Sequence, residues 1–163
     1  MLEMKLQILQ DQIIKVLGTA VRFTSNRVQL PVLANILIRA EKSELKIQAT
    51  NLETSFSATV GAKIIRDGEI TIPAHAFYDI VSNLNTNQQI NMSAEKEVLS
   101  IKTTGFDSTI SGMNASDFPK VPDKLGKDNI DIDSRLVSES IEKIIFSISN
   151  DETRPILTGC LFE

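Results

Sequence analysis

The sequence is poor in the residues that form covalent cross-links and metal sites. Its 163 residues include one cysteine, one histidine and no tryptophan. A single cysteine, Cys160, cannot form an internal disulfide framework. One cysteine and one histidine also cannot supply the four nitrogen and sulfur ligands of a structural zinc site. The sequence therefore predicts no metal site and favours a reducing environment.

Long apolar runs, leader-peptide features and phosphate-binding loops are missing as well. Charged residues interrupt every hydrophobic segment before it reaches the roughly 20 residues of a membrane helix. The amino terminus lacks the basic, apolar and small-residue pattern of a signal peptide. The seven glycines form neither a GxGxxG nor a GxxxxGK pattern. We expect a cytoplasmic protein with no cofactor and no membrane partner.

The sequence contains no recognisable catalytic arrangement. No Gly-x-Ser-x-Gly motif is present, and His75 would have to act as the only histidine base. Carboxylate pairs such as Glu95 with Glu97 and Asp131 with Asp133 are interpreted as solvated surface charge. We therefore predict no catalytic residue, and His75 is interpreted as a residue at the start of a helix.

The charge balance restricts how the chain can meet DNA. It has 17 basic and 21 acidic residues, which gives a net charge of −4. A protein that simply coats nucleic acid carries the opposite sign. Any DNA binding must therefore be local, weak or topological.

Apolar periodicity predicts two amphipathic helices among short strands. Helix one, over about residues 10–23, carries an apolar stripe of Ile13, Val16, Leu17, Ala20 and Val21. Helix two, over about residues 74–84, carries Phe77, Ile80, Val81 and Leu84. Alternating runs predict strands at residues 4–8, 35–40, 44–49, 53–64, 69–72, 89–93, 98–102 and 107–111. The order strand, helix, three strands occurs twice, which predicts an α+β domain with both helices on one face of antiparallel sheet.

The residue pattern of the amino-terminal segment is repeated after a polar segment. Residues 113–129 are rich in Pro, Asp, Lys and Gly, as an interdomain linker is. At an offset of 124 residues, Pro31 and Leu33 match Pro155 and Leu157, and the stripe of helix one is preserved. We predict a first domain at residues 1–112, a linker at 113–128 and the start of an incomplete second domain at 129–163. We expect the natural protein to continue beyond residue 163.

Four short motifs resemble a known family. They are residues 30–37, Leu-Pro-Val-Leu-Ala-Asn-Ile-Leu; residues 50–53, Thr-Asn-Leu-Glu; residues 72–74, Ile-Pro-Ala; and residues 117–119, Asp-Phe-Pro. In this order they resemble the bacterial DNA sliding clamps, the DNA polymerase III beta subunits. The resemblance implies the DNA clamp fold of repeated β-α-β-β-β units. It also implies three similar domains per subunit and a homodimeric ring around DNA, with helices inside and sheets outside.

The resemblance implies a function without catalysis. A sliding clamp is a processivity factor in DNA replication, which tethers the replicative polymerase and repair proteins to the duplex. The implied partners are double-stranded DNA, the DNA polymerase III catalytic subunit, the clamp loader, repair polymerases and other proteins with clamp-binding motifs.

The resemblance also implies DNA-binding residues. Arg27 ranks first, because it matches a DNA-contacting arginine of the family just before the Leu-Pro motif. Lys15 and Arg22 lie off the apolar stripe of helix one, and His75 and Arg154 are further candidates. At His75 the family often has arginine.

Two further surfaces follow from the resemblance. Arg154 and Leu157 match positions that border the partner-peptide cleft, of which this chain would hold only a part. Ile80, Phe106 and Ile110 are the expected apolar contributors to the subunit interface.

Two other functions stay open from the sequence. One is an α+β adaptor that binds protein partners without encircling DNA, and ring closure would distinguish it. The other is an enzyme whose active site lies in a carboxy-terminal portion beyond this chain.

Overall fold

A computed structural model describes residues 3–25, 30–122, 131–151 and 153–162. Arg27, the first of the expected DNA-binding residues, lies outside the described residues. The chain divides into two compact units, Met1–Asp123 and Lys124–Glu163. Among the described residues, no helix is long and apolar enough to cross a membrane.

Unit 1 contains two helices and nine strands within its described residues. Apart from three short 3₁₀ turns, its elements are β1 (Met4–Leu9), α1 (Gln10–Ala20), β2 (Asn35–Glu41), β3 (Glu44–Thr50), β4 (Ser55–Gly61), β5 (Lys63–Arg66), β6 (Gly68–Pro73), α2 (Ala74–Ser82), β7 (Gln89–Glu95), β8 (Val98–Thr103) and β9 (Phe106–Ser111). The α+β class and the twofold order of strand, helix and strands are thus confirmed.

The strands form two antiparallel sheets that interlock the two halves of the unit. One sheet has the order β5-β1-β7-β8-β9 and the other β4-β3-β2-β6. The first strand of each half therefore pairs with the strands of the other half: β1 with β7, and β6 with β2. Neither half can complete its sheet alone.

One predicted strand is wrong in its extent. The run at residues 53–64 is two strands, because β4 pairs with β3 whereas β5 pairs with β1 in the other sheet. The chain changes sheets at Ala62, whose N–H donates to the carbonyl of Ser43 at 3.2 Å.

A single apolar core joins both sheets and both helices. Burial alternates along β1 and β7, and Leu6, Ile47 and Ile101 are among the strand residues that are fully buried. The helices contribute Leu17 and Phe77, which are also fully buried. Because burial of one such side chain stabilises a fold by about 1.5–3 kcal/mol, this core holds both helices on the sheets.

Residues 113–118, which the sequence predicts to be the start of the linker, lie within unit 1 and contact its strands. Met113 and Thr71 exchange backbone hydrogen bonds of 2.9 and 3.2 Å. Phe118 is buried in a small cluster with Val32 and Leu37. Residues 123–130 lie outside the described part, and the limits of the linker stay a prediction.

Unit 2 repeats the backbone of the start of unit 1. Its helix α3 (Ser134–Ile144) lies 124 residues after α1 (Gln10–Ala20), and its 3₁₀ turns Ile145–Ser147 and Pro155–Thr158 lie 124 residues after Val21–Phe23 and Pro31–Ala34. Hydrogen bonds repeat as well. The N–H of Ser25 donates to the carbonyl of Leu33 at 2.8 Å, and that of Ser149 to Leu157 at 2.9 Å. The offset found in the sequence is thus also present in the three-dimensional structure.

The apolar side chains of unit 2 differ from their counterparts in exposure. Ile156 is 88% exposed, whereas Val32 is 6% exposed. Leu161 is 81% exposed, whereas Leu37 is 5% exposed. The backbone repeats in unit 2, but the packing around these positions does not.

Candidate functional site

The two helices of unit 1 lie side by side and antiparallel. The side-chain amide of Gln10, at the start of α1, donates to the carbonyl of Val81, near the end of α2, at 3.1 Å. Further along α1, a Cβ atom placed on Gly18 would lie 3.4 Å from Cε2 of Tyr78. Because both helices bury their apolar stripes in the core, their polar sides form one exposed layer, which we call the helix layer.

On α1 and the 3₁₀ turn that follows it, the helix layer is a single stripe. The exposed residues are Gln12, Lys15, Thr19 and Arg22, which follow one another at intervals of three, four and three. Lys15 and Arg22 are therefore brought to the same side, about 10 Å apart along the axis. This spacing lets two cations meet separate phosphates of one DNA backbone.

Arg22 is directed outward by its neighbours. Val21 and Phe23 pack against the core, and the Phe23 ring stacks on that of Phe56 in β4 with 5.5 Å between the centroids. The hydroxyl of Thr24 donates to the carbonyl of Val21 at 2.8 Å and closes the turn. The cation is thus held on the surface by a partly buried aromatic pair.

On α2 the helix layer is less basic. His75 and Asp79 are exposed and lie four residues apart, hence on one face of the helix. Asp79 places a negative charge beside the positions expected to face DNA. Any attraction of phosphates by the described part of the layer therefore comes mainly from α1 and its turn.

The expected interface residues differ in their access to a partner. Phe106 is 37% exposed at the start of the edge strand β9, and Ile80 is partly buried against the core. Ile110 is 7% exposed and belongs to the core of unit 1. Of the two β9 residues, only Phe106 therefore offers a substantial part of its side chain to another molecule.

Arg154 and Leu157 lie together in unit 2, as the sequence analysis expects of neighbours in a cleft wall. Arg154 precedes the turn Pro155–Thr158 and Leu157 lies within it, and the N–H of Leu157 donates to the carbonyl of Arg154 at 2.9 Å. Both side chains are exposed. Nearby, the N–H of Thr153 donates to Asp151 Oδ1 at 2.9 Å and lowers the pKa of that carboxyl.

Tyr78 is a residue of the helix layer that the apolar stripes of the sequence do not indicate. Its ring lies across Gly18, the glycine inside helix one. An isolated glycine in a helical stripe is the signal that could have indicated a close neighbour at this point.

The described residues offer no metal site of ordinary composition. In the ranges given above, no three His, Cys, Asp or Glu side chains group together to hold an ion. The exposed side chains of the helix layer include the cations of Lys15 and Arg22, the carboxylate of Asp79 and the hydroxyl of Thr19.

Comparison with known proteins identifies the family. The family model "DNA polymerase III beta subunit, N-terminal domain" matches residues 4–122. The chain belongs to this beta-subunit family. The match ends one residue before the end of unit 1.

The similar sequences and solved structures are also beta subunits or beta sliding clamps. The chain is 30% identical over 161 residues to the beta sliding clamp of Vibrio cholerae, a match that covers 98% of this chain and 44% of the relative. The structure of the pol III beta of Caulobacter crescentus is similar with a TM-score of 0.87 and 32% identity, over 96% of this chain and 42% of that one. For the DNA polymerase III subunit beta of Pseudomonas aeruginosa the TM-score is 0.85 and the identity 29%, over 96% and 43% of the two chains. The chain thus spans less than half the length of these beta subunits.

Proposed function

We propose that this chain is part of a sliding clamp, a ring-shaped processivity factor that encircles duplex DNA and tethers the replicative polymerase and repair proteins. The helix layer is the observation that carries the proposal. It presents Lys15 and Arg22 on one stripe, in a chain of the beta-subunit family. A clamp makes and breaks no covalent bond, so the protein acts without catalytic residues.

The sparse charge of the helix layer suits a ring that slides. Duplex DNA carries one negative charge per roughly 1.7 Å of axis, and each contact that neutralises a phosphate makes binding stronger and more dependent on salt. Many such contacts would hold the ring at one place. Two described cations on α1 and its turn, beside Asp79 on α2 and with a net charge of −4, attract the duplex without fixing it.

We assign the DNA-facing role to Lys15, Arg22 and Arg27, with contributions from His75 and Arg154. Lys15 and Arg22 have the support of their shared exposed stripe. Arg27 has the support of its place in the motif alone.

The partner surfaces are part of the same proposal. Arg154 and Leu157 form one wall of a cleft for the binding motifs of the polymerase III catalytic subunit, the clamp loader and repair polymerases. Phe106, with smaller contributions from Ile80 and the largely buried Ile110, meets the other subunit of a homodimeric ring. We place this action in the cytoplasm.

The domain division completes the proposal. The first clamp domain is assigned to residues 1–112, the linker to 113–128, and the start of the second domain to 129–163. The hydrogen bonds of Met113 with Thr71, and the burial of Phe118 against Val32 and Leu37, favour a connection that begins on the surface of the first domain.

Topological retention tests the proposed function. A ring formed by the complete protein and loaded on closed circular DNA should stay bound, and should be released when a nuclease makes the circle linear. Gel filtration of labelled protein with each DNA form measures this. The control is Lys15, Arg22 and Arg27 replaced together by alanine, which should weaken direct DNA binding much more than retention on circles. Equal loss from circular and linear DNA at matched salt would exclude encirclement and favour the adaptor.

A further inference from the structure

Tyr78 projects from α2 onto α1 at a glycine. A Cβ atom placed on Gly18 would lie 3.4 Å from Cε2 and 4.0 Å from both Cζ and Oη of Tyr78. The hydroxyl end of the ring therefore lies over α1. Apart from proline, glycine is the least favourable residue inside a helix, and here it leaves room for the tyrosine ring.

The hydroxyl lies against Gly18, which is between the two cations of the helix layer along the chain. Lys15, Gly18 and Arg22 occupy positions i, i+3 and i+7, which share one face of a helix. A group placed over Gly18 is therefore flanked by Lys15 on one side and Arg22 on the other. Those two side chains are exposed, so a phosphate backbone that meets both also passes over Tyr78.

The hydroxyl is available as a donor. The Tyr78 ring is partly buried against the core, which fixes its direction. Within the part of the chain that the structure describes, no hydrogen bond engages its hydroxyl. A tyrosine hydroxyl can donate one hydrogen bond.

We propose that Tyr78 is a further DNA-contacting residue, whose hydroxyl donates a hydrogen bond to a phosphate oxygen between the phosphates met by Lys15 and Arg22. The inference rests on the proposed function, since the ligand is the DNA backbone. A neutral donor replaces no counterion, so it adds affinity without adding salt dependence. The Tyr78 hydroxyl therefore positions the duplex on the helix layer. A third cation at the same place would bind the duplex more tightly.

The variant Tyr78→Phe tests the hydroxyl and keeps the ring. Fluorescence anisotropy with a short labelled DNA duplex, at several low salt concentrations, gives the affinity of the 163-residue chain and its salt slope. Loss of one hydrogen bond should weaken binding roughly 2- to 10-fold, with the slope unchanged. Lys15→Ala should instead reduce the log-log slope by about 0.9. The melting temperature of Tyr78→Phe should stay that of the parent.

Two changes at Gly18 separate the hydroxyl from the helix. In Gly18→Ala the added Cβ meets the ring at 3.4 Å, an ordinary contact, so DNA binding should not change. In Gly18→Leu the side chain displaces the ring, and binding should weaken as much as in Tyr78→Phe. Full affinity in Gly18→Leu would contradict the proposed position of the hydroxyl.

A direct signal from the hydroxyl is available because Tyr78 is the only tyrosine in the sequence. Labelling with ¹³Cζ-tyrosine yields one carbon resonance, which should shift when the duplex is added. If the Lys15 and Arg22 amide signals respond to DNA while this resonance stays still and Tyr78→Phe binds normally, the Tyr78 contact is refuted and the proposed function stands. If no signal of the helix layer responds, the DNA-facing role of Lys15, Arg22 and Tyr78 is refuted, whereas encirclement is decided by the retention of the complete protein on circular DNA.

Discussion

Gly112 should tolerate no side chain, because it lies against the pairing that joins the end of β9 to β6. A Cβ atom placed on Gly112 would be 2.1 Å from the carbonyl oxygen of Thr71, where ordinary contacts begin at 3.4 Å. That oxygen accepts the N–H of Met113 at 2.9 Å. The Gly112→Ala variant must therefore push the Thr71 strand away and open this pairing.

The cost can be worked out from the hydrogen bonds that would open. Besides the bond from Met113 to Thr71, the Thr71 N–H and hydroxyl donate to the Met113 carbonyl at 3.2 and 3.0 Å. Three bonds at about 0.5–1.5 kcal/mol each give a destabilisation near 3 kcal/mol. For a domain of this size, that lowers the melting temperature by roughly 10 °C.

Urea denaturation followed by circular dichroism measures the difference. Gly61→Ala is the matched control, because a Cβ there meets nothing within 4 Å. The control should be as stable as the parent within about 0.5 kcal/mol. If Gly112→Ala were as stable as Gly61→Ala, the close approach of Thr71 to this glycine would be refuted.

Two further predictions concern single side chains. Gln10→Ala should destabilise unit 1 by about 0.5–1.5 kcal/mol in the same denaturation assay, because it removes the buried hydrogen bond to the Val81 carbonyl, which keeps the N–H of Leu84 as a donor; stability equal to that of the parent would show that this bond does not tie α1 to α2. The Asp151 carboxyl should titrate by NMR below its ordinary pKa of 3.8, and Thr153→Pro, which removes the N–H and hydroxyl donors, should return the midpoint upward. Because the folded pKa is lowered, the turn should be stabilised above the ordinary pKa and loosen as pH falls through the lowered value; an unchanged midpoint in Thr153→Pro would contradict this cause.

The sequence by itself determined which segments become helices and strands, and that the chain repeats. Burial on one face imposes a period near two on strands and 3.6 on helices, and these periods are local properties of the side chains. The stripe of helix one and the alternation of β1 could therefore be found without coordinates. The repeat at 124 residues could also be found, because the apolar stripe and the Pro and Leu positions recur at a constant offset.

Only the tertiary structure decided which strands pair and which polar residues meet. Strands pair through backbone hydrogen bonds, which every sequence can form. The alternation of apolar residues therefore predicts a strand but not the strand with which it pairs. The sequence thus could not predict that β1 and β6 each pair with a strand of the other half. It also could not predict that the chain changes sheets at Ala62. The same holds for Ile110, whose place in the core depends on the strands around it. Tyr78 and Gly18 are 60 positions apart, and they meet only because two separate apolar stripes bury themselves in one core.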